Sequence, residues 1–335
     1  MIIERLDEAV LSGHPRAVAR AITMVETGGE DAEQLMEKLR QVPRHGHLIG
    51  FTGAPGAGKS SLICKLAKEY RARGKSVGVI AVDPTSPFSG GAVLGDRIRM
   101  GELSSDPGVF VRSMASRGRP GGLAAAVEDA AVILQAAGKE IILLETVGVG
   151  QGELDVASAV QTTVVVLTPG MGDEIQSLKA GILEVADVYV VNKSDLVGAD
   201  TVARSLQSAA AQQDSSWVRP VLLASSVTSV GVPELADAID CHKEYLEGNR
   251  VPCEQEIRLT YQSILSIAGR QLISQLQSKV DRKRLERLAT EVASGEMDPR
   301  EAAEEAVSLF LAAQFGAMPR QEKREAVAAG HNGRN

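Results

Sequence analysis

The residues Gly53-Ala54-Pro55-Gly56-Ala57-Gly58-Lys59-Ser60 satisfy the pattern GxxxxGK[ST] at every fixed position. An apolar run at 47–52 precedes them and a helical pattern at 60–73 follows. That order constrains the fold more than any other feature of the chain. Glycines let successive backbone N–H groups turn inward around an anion. A helix starting near Gly58 aims its positive dipole end at the same point. Lys59 suits the β- and γ-phosphates of a nucleotide, and the Ser60 hydroxyl suits Mg²⁺. With Ser61 at its edge, this segment is the expected phosphate site. Ala54 stands where some ATPases carry a lysine for a partner subunit, which weakens a reading as that class.

Strand-like runs recur around this loop at 47–52, 76–83, 108–112, 140–145, 162–168, 188–192 and 220–224. Helical patterns at 60–73, 122–137, 176–185, 202–213 and 232–242 separate most of them. The runs IILL at 141–144 and TTVVVL at 162–167 are continuously apolar, as strands buried on both faces are. Aromatic residues make up only 3% of a chain that is 44% apolar, so Val, Ile, Leu and Ala must build the core. The expectation is therefore an α/β fold: a P-loop NTPase whose mostly parallel sheet is covered by helices. Residues 1–45 read as an N-terminal helical extension, with one helix opening at Pro15 and ending at Gly28-Gly29. Residues 46–248 read as the nucleotide domain, 249–316 as a C-terminal helical arm and 317–335 as a loose tail. In the arm, Ile257, Tyr261, Ile264, Leu265, Ala268, Leu272 and Leu276 form one apolar stripe. It would cover the main domain or a second subunit. Asp298-Pro299-Arg300-Glu301 reads as a capped helix start.

Base choice rests on Asn192-Lys193-Ser194-Asp195, the pattern NKxD at a strand end. Guanine presents N1–H and an amine on one edge, and the Asp195 carboxylate can accept both. Adenine offers no such donor pair and would leave the acid desolvated and unpaired. Asn192 can tie this loop to the phosphate loop, and the Lys193 stem can lie over the base. Ser225 and Ser226, at a later strand end, can offer backbone N–H groups to the guanine oxygen. Three carboxylates are candidates for Mg²⁺, directly or through water: Asp83, Asp96 and Glu145. Mg²⁺ keeps several waters and takes one or two carboxylates, so not all three bind it directly. A capping role for Asp96 competes with the metal role. Gly148, in GluThrValGlyValGly, allows an N–H to approach the γ-phosphate. Catalysis of phosphoryl transfer is positioning and charge neutralisation, for which Lys59, Asp83, Asp96 and Glu145 are the candidates. Arg97, Arg99, Arg112 and Arg117 are further positive groups that sequence does not place.

Other classes are disfavoured. Lys+Arg 36 against Asp+Glu 43 gives a net charge of −7, which argues against a general nucleic-acid binder. Cys64, Cys241 and Cys253 are widely spaced and suggest neither a disulfide framework nor a zinc site, so a reducing cytoplasm is the default. No run approaches the length of a membrane span. His45 and His47 lack a third ligand nearby and read as surface residues, and Trp217 as partly buried.

The blocks GFTGAPGAGKSSL, VIAVDPTSPFSGGAVLGDRIRM, SRGRPGGLA, ETVGVGQ, GDEIQSLKAG and VNKSD span residues 50–195. In them the chain resembles the MeaB/ArgK family, the G proteins associated with methylmalonyl-CoA mutase. ARAITMVE at 19–26 and the helix start at 298–302 extend the resemblance. It implies a homodimeric, Mg²⁺-dependent GTPase that binds GTP and hydrolyses it to GDP. Such a protein attends an adenosylcobalamin-dependent acyl-CoA mutase, gating cofactor loading and protecting the enzyme from inactivation. By motif match, Ser60, Asp83, Asp96 and Glu145 would serve the metal. Asp173, Glu174 and Lys179 would lie in a switch facing the mutase, and the C-terminal helices would form a dimerisation arm. The alternative is a P-loop kinase or ATPase, following an older transport-kinase label of the same family. Slow basal hydrolysis, stimulated by a partner, is expected.

Overall fold

The computed structural model describes residues 5–43, 45–84, 101, 103, 105–116, 122–145, 160–170, 185–211, 216–248 and 254–315. Three helices open the chain: α1 (Leu6–Leu11), α2 (Pro15–Thr27) and α3 (Glu30–Arg40). Then follow β1 (His47–Thr52), α4 (Lys59–Ala72), β2 (Val77–Pro84), β3 (Val109–Ser116), α5 (Gly122–Ala136) and β4 (Ile141–Glu145). Next come β5 (Thr162–Leu167), β6 (Val188–Val191), α6 (Ala199–Ala210), β7 (Val221–Leu223) and α7 (Val232–Gly248). The helices α8 (Glu254–Lys279), α9 (Arg282–Ala293) and α10 (Pro299–Phe315) close the described chain.

The seven strands form one sheet in the order β3-β2-β4-β1-β5-β6-β7, and every pair is parallel. β1 is central, so the loop after it opens where the chain's path across the sheet reverses. Ligands of open α/β sheets bind at that point. Each sheet face has its own apolar layer, because successive strand residues point to opposite sides. Leu48, Ile80, Val82, Ile142 and Leu144 meet α1, α2, α3 and α5 on one face. Ile49, Phe51, Val79, Leu143, Val164, Val166 and Val190 meet α4 and α7 on the other. A third cluster packs Val165, Leu167, Tyr189 and Val191 against α6. Full burial of each such side chain stabilises by about 1.5–3 kcal/mol. The N-terminal helices thus belong to the core of one sheet face.

Most elements match the sequence pattern within a few residues. β3 is longer than its apolar run, because it pairs in register with β2 from Val109 to Ser116. α6 begins at Ala199 rather than 202, and α7 continues past His242 to Gly248. The helical pattern at 176–185 lies outside the described residues apart from its last member. β3 is also tied to α2. The Arg112 guanidinium donates to Glu26 and to Thr23 Oγ1, the latter at 3.1 Å. Glu26→Ala is expected to leave that guanidinium poorly compensated in a half-buried position and to cost about 2 kcal/mol. A lowered urea midpoint with an unchanged slope would show it, and an unchanged midpoint would refute it.

The chain divides into two compact units, Met1–Thr260 and Tyr261–Asn335. The second has a small core of its own that includes Val280, Leu288 and Phe310. Arg284 of α9 pairs with Glu305 of α10 at 3.3 Å. Asp298 Oδ1 accepts from Arg300 N at 2.8 Å, as the expected helix start requires. Tyr261, Ile264, Leu265 and Leu272 of the apolar stripe are exposed. Among the described residues no helix is long and apolar enough to cross a membrane.

Candidate functional site

A parallel sheet brings the carboxyl ends of all its strands to one edge, and the candidate residues collect there. Beyond β1 the loop bends through Gly53, at φ +134°, and Gly58, at φ +86°. A Cβ on Gly53 would stand 2.1 Å from the main-chain oxygen of Val166, so only glycine lets the loop lie against β5. α4 starts at Lys59 with no side-chain cap on its first turn. Its leading N–H groups are thereby left for an anion. Lys59, almost fully buried, donates Nζ to the carbonyl of Gly53 at 2.6 Å and of Ala54 at 3.2 Å. The ammonium is held by weak neutral acceptors of the loop, which phosphate oxygens can replace with stronger charge-assisted bonds. Pro55, Gly56 and Ala57 complete the loop as expected, and Ser61 lies in the first turn of α4.

The Ser60 hydroxyl donates to Glu145 Oε1 at 2.6 Å, and both residues are buried. Glu145 ends β4 beside β1, paired in register with Phe51. This hydroxyl and carboxylate are hard oxygen donors at the mouth of the phosphate loop, and their chemistry fits Mg²⁺. Asp83 lies near the end of β2, two residues beyond Ala81, which pairs with Glu145. Its backbone is therefore at the same sheet edge, while its side chain lies outside the described residues. Asp96 and Gly148 lie wholly outside them, as do Asp173, Glu174 and Lys179 of the expected switch. Arg97, Arg99 and Arg117 do as well. Arg112 is placed with Glu26 and Thr23 of α2.

The base side is assembled from two loops. Asn192 is fully buried. Its Nδ2 donates to Ala57 O at 2.8 Å, and its Oδ1 accepts from Ser226 N at 3.1 Å. One amide thus joins the phosphate loop to the turn after β7. Lys193, at φ +58°, extends its Nζ to Gly56 O at 2.9 Å, which lays its stem across the gap between the two loops. Ser225 Oγ donates to Asp195 Oδ1 at 2.6 Å. Sequence reading assigned Ser225 a backbone role; the structure adds a buried hydroxyl that orients Asp195, the acid expected to read the base. Asp195 itself is exposed and accessible to a base.

One expectation is corrected. His47 is buried, 1% exposed, and not a surface residue. β1 is covered on both faces from its first residue, and His47 Nε2 lies 2.7 Å from Thr162 Oγ1 of the neighbouring strand. Nothing in the local pattern signals this, because the partners are 115 residues away. His45 is exposed, as expected. Trp217 is half-buried, also as expected, and donates Nε1 to Asp187 O at 2.9 Å. Among the described residues no cluster of His, Cys, Asp and Glu is arranged to hold a metal.

Comparison with known proteins places this geometry in context. A family model described as methylmalonyl Co-A mutase-associated GTPase MeaB matches residues 18–281. A protein of Pyrococcus abyssi named a GTPase is 42% identical over 308 residues, covering 90% of this chain and 95% of the relative. The mitochondrial methylmalonic aciduria type A homolog of Mus musculus is 35% identical over 257 residues, covering 71% of this chain and 62% of its own. A crystal structure titled LAO/AO transport system kinase superposes with a TM-score of 0.67 at 22% identity. It covers 91% of this chain and 96% of that one, a likeness of fold.

Proposed function

Because the chain belongs to the MeaB family of methylmalonyl-CoA mutase-associated GTPases, we propose that its GTP cycle regulates an adenosylcobalamin-dependent acyl-CoA mutase. In this reading it gates cofactor loading and protects the mutase from inactivation, in the cytoplasm. The observation that carries the GTP reading is the Asn192 amide, which bonds both the phosphate loop and the turn beside Asp195. The phosphate and base sites are thus one rigid pocket. Asp195, held by Ser225, offers the carboxylate that guanine needs and adenine cannot satisfy. That arrangement disfavours the kinase or ATPase alternative.

The residues divide the work by position. Backbone N–H groups of residues 53–60, Pro55 excepted, and the start of α4 bind the phosphate chain, and Lys59 neutralises charge there. Ser60 and Glu145 are the described groups that would hold Mg²⁺, which when bound would neutralise charge between the β- and γ-phosphates. Asp83 and Asp96 are proposed to join that site through water. Gly148 is proposed to face the γ-phosphate. The loop carrying Asp173, Glu174 and Lys179 is proposed as the segment that reports nucleotide state to the mutase. The segments 1–45, 46–248, 249–316 and 317–335 are proposed as extension, GTPase domain, arm and tail. The exposed stripe of Tyr261, Ile264, Leu265 and Leu272 supports pairing of the arm with a second copy, since such a stripe is costly to leave in water.

The test is co-purification of the full chain with an adenosylcobalamin-dependent acyl-CoA mutase, in GDP and in a non-hydrolysable GTP analogue. Retention that depends on the nucleotide is expected. Equal retention in both, or none in either, would remove the regulatory role and leave guanine-nucleotide binding intact.

A further inference from the structure

The amino-terminal edge of the sheet, opposite the nucleotide, holds a buried polar chain that the GTPase site does not use. Thr162 Oγ1 at the start of β5 lies 2.7 Å from His47 Nε2 on β1 and 2.8 Å from His242 Nδ1 on α7. Asp187 Oδ1, just before β6, lies 3.5 Å from the other nitrogen of His242. Both imidazoles are almost fully buried. Trp217 and Tyr245 close over His242, with ring centroids 4.8 and 6.1 Å away. Three elements, β1, β5 and α7, thus meet through one hydroxyl.

One hydroxyl carries one proton, so it can donate to one ring and accept from the other. The Asp187 carboxylate selects the Nε2–H form of His242. His242 Nδ1 is then an acceptor, Thr162 donates to it, and His47 donates its Nε2–H to Thr162. His47 Nδ1 is left as a lone pair, and it is buried with no hydrogen-bond partner among the described residues. The neutral chain is complete, and an added proton leaves one hydrogen-bonding group of it without its partner. A proton on His47 Nδ1 creates a buried cation without an acceptor. A proton on His242 Nδ1 turns both rings into donors toward Thr162, whose own hydroxyl proton then loses its acceptor.

We propose that the His47–Thr162–His242–Asp187 chain is an acid-sensitive latch that clamps α7, and with it the base-facing turn, onto β1 and β5. α7 follows directly from the turn that holds Ser225 and Ser226, and β1 runs directly into the phosphate loop. Loosening the latch therefore loosens both walls of the nucleotide pocket. Asp187, 3.5 Å from His242 Nε2, attracts a proton to that ring, and burial outweighs it. Lys243, on α7, repels a proton on His47, as His242 does. Asp187 also accepts from Thr163 N, and Tyr245 contributes its ring. Glu140 accepts from His47 N through its main-chain oxygen, while its carboxylate serves Lys75 and Ser76. Burial, the largest cause, holds both histidines down at about 4. An opened latch exposes rings that titrate near the ordinary value of about 6.5. Acid therefore favours the open state progressively from about pH 6.5 down to about 4, and above that window the latch is fully engaged.

The test is the release rate of a fluorescent GDP analogue from the full chain at pH 7.5 and pH 5.5. The double variant His47→Gln, His242→Asn keeps hydrogen-bonding groups and cannot titrate. Release from the wild type at pH 5.5 is expected to accelerate about tenfold more than release from the variant if one ring titrates and about a hundredfold more if both do. Thr162→Ser should behave as wild type. Parallel pH curves for wild type and double variant would overturn the latch. Imidazole ¹⁵N spectra of the wild type need no variant: both rings should carry Nε2–H at pH 7.5 and resist protonation to below pH 5. An Nδ1–H on His47, or titration of either ring near 6.5, would overturn it as well. Absence of GDP binding at pH 7.5 would defeat the nucleotide reading alone, and the spectra would then decide the latch.

Discussion

Asp195→Asn is expected to weaken GDP binding by about 10²–10³-fold. A charge-assisted hydrogen bond contributes about 1.5–3 kcal/mol, and this carboxylate is placed to accept two from guanine. The asparagine amide keeps one acceptor and turns a donor toward the guanine amine, so one bond is lost and one contact becomes repulsive. The fold should survive, because the remaining Oδ1 can still accept from Ser225. The same substitution should raise affinity for a xanthine nucleotide, which presents a carbonyl where guanine presents its amine. Calorimetric titration with GDP, ADP and xanthosine diphosphate reads all three effects. A variant that binds GDP as the wild type does, or a wild type that prefers ADP, would remove Asp195 from base recognition.

Gly58→Ala is expected to cost about 10²-fold or more in nucleotide affinity and about 2 kcal/mol or more in stability. Two costs act together. The residue stands at φ +86°, which non-glycine residues adopt with a penalty of about 1–2 kcal/mol. The new methyl carbon would also lie 2.4 Å from Asn192 Nδ2, far inside contact distance. Asn192 must then give way, and it is the side chain that bonds Ala57 on one side and Ser226 on the other. The substitution thus detaches the phosphate loop from the base-side turn. Thermal unfolding and GDP titration of the variant check it. Unchanged GDP affinity would show that the Asn192 bridge does not hold the pocket together.

Much of the fold was legible because its signals are local. Continuous runs such as Ile141–Leu144 mark strands buried on both faces, and Pro15 and Pro299 mark helix starts. Lys59, Ser60, Asn192 and Asp195 could be proposed from sequence because anion and guanine recognition demand those residue types next to a strand end. The end of β3 was not legible, because its last residues, Ser113 to Ser116, carry no apolar period and are held in the ladder by β2. His47 was read as exposed because two histidines near a strand start look the same whether a partner strand covers them or not.

The amino-acid order by itself determined the parallel α/β architecture and the residue types proposed for the nucleotide pocket, since both follow from periodicity and residue type within short windows. Tertiary structure alone decided which distant groups share a proton or a hydrogen bond. Examples are Asn192 with Ala57, Ser225 with Asp195, Arg112 with Glu26, and Thr162 between His47 and His242. Hydrogen bonds act over about 3 Å. Only packing of the sheet and its helices brings residues separated by 30 to 135 positions within that range.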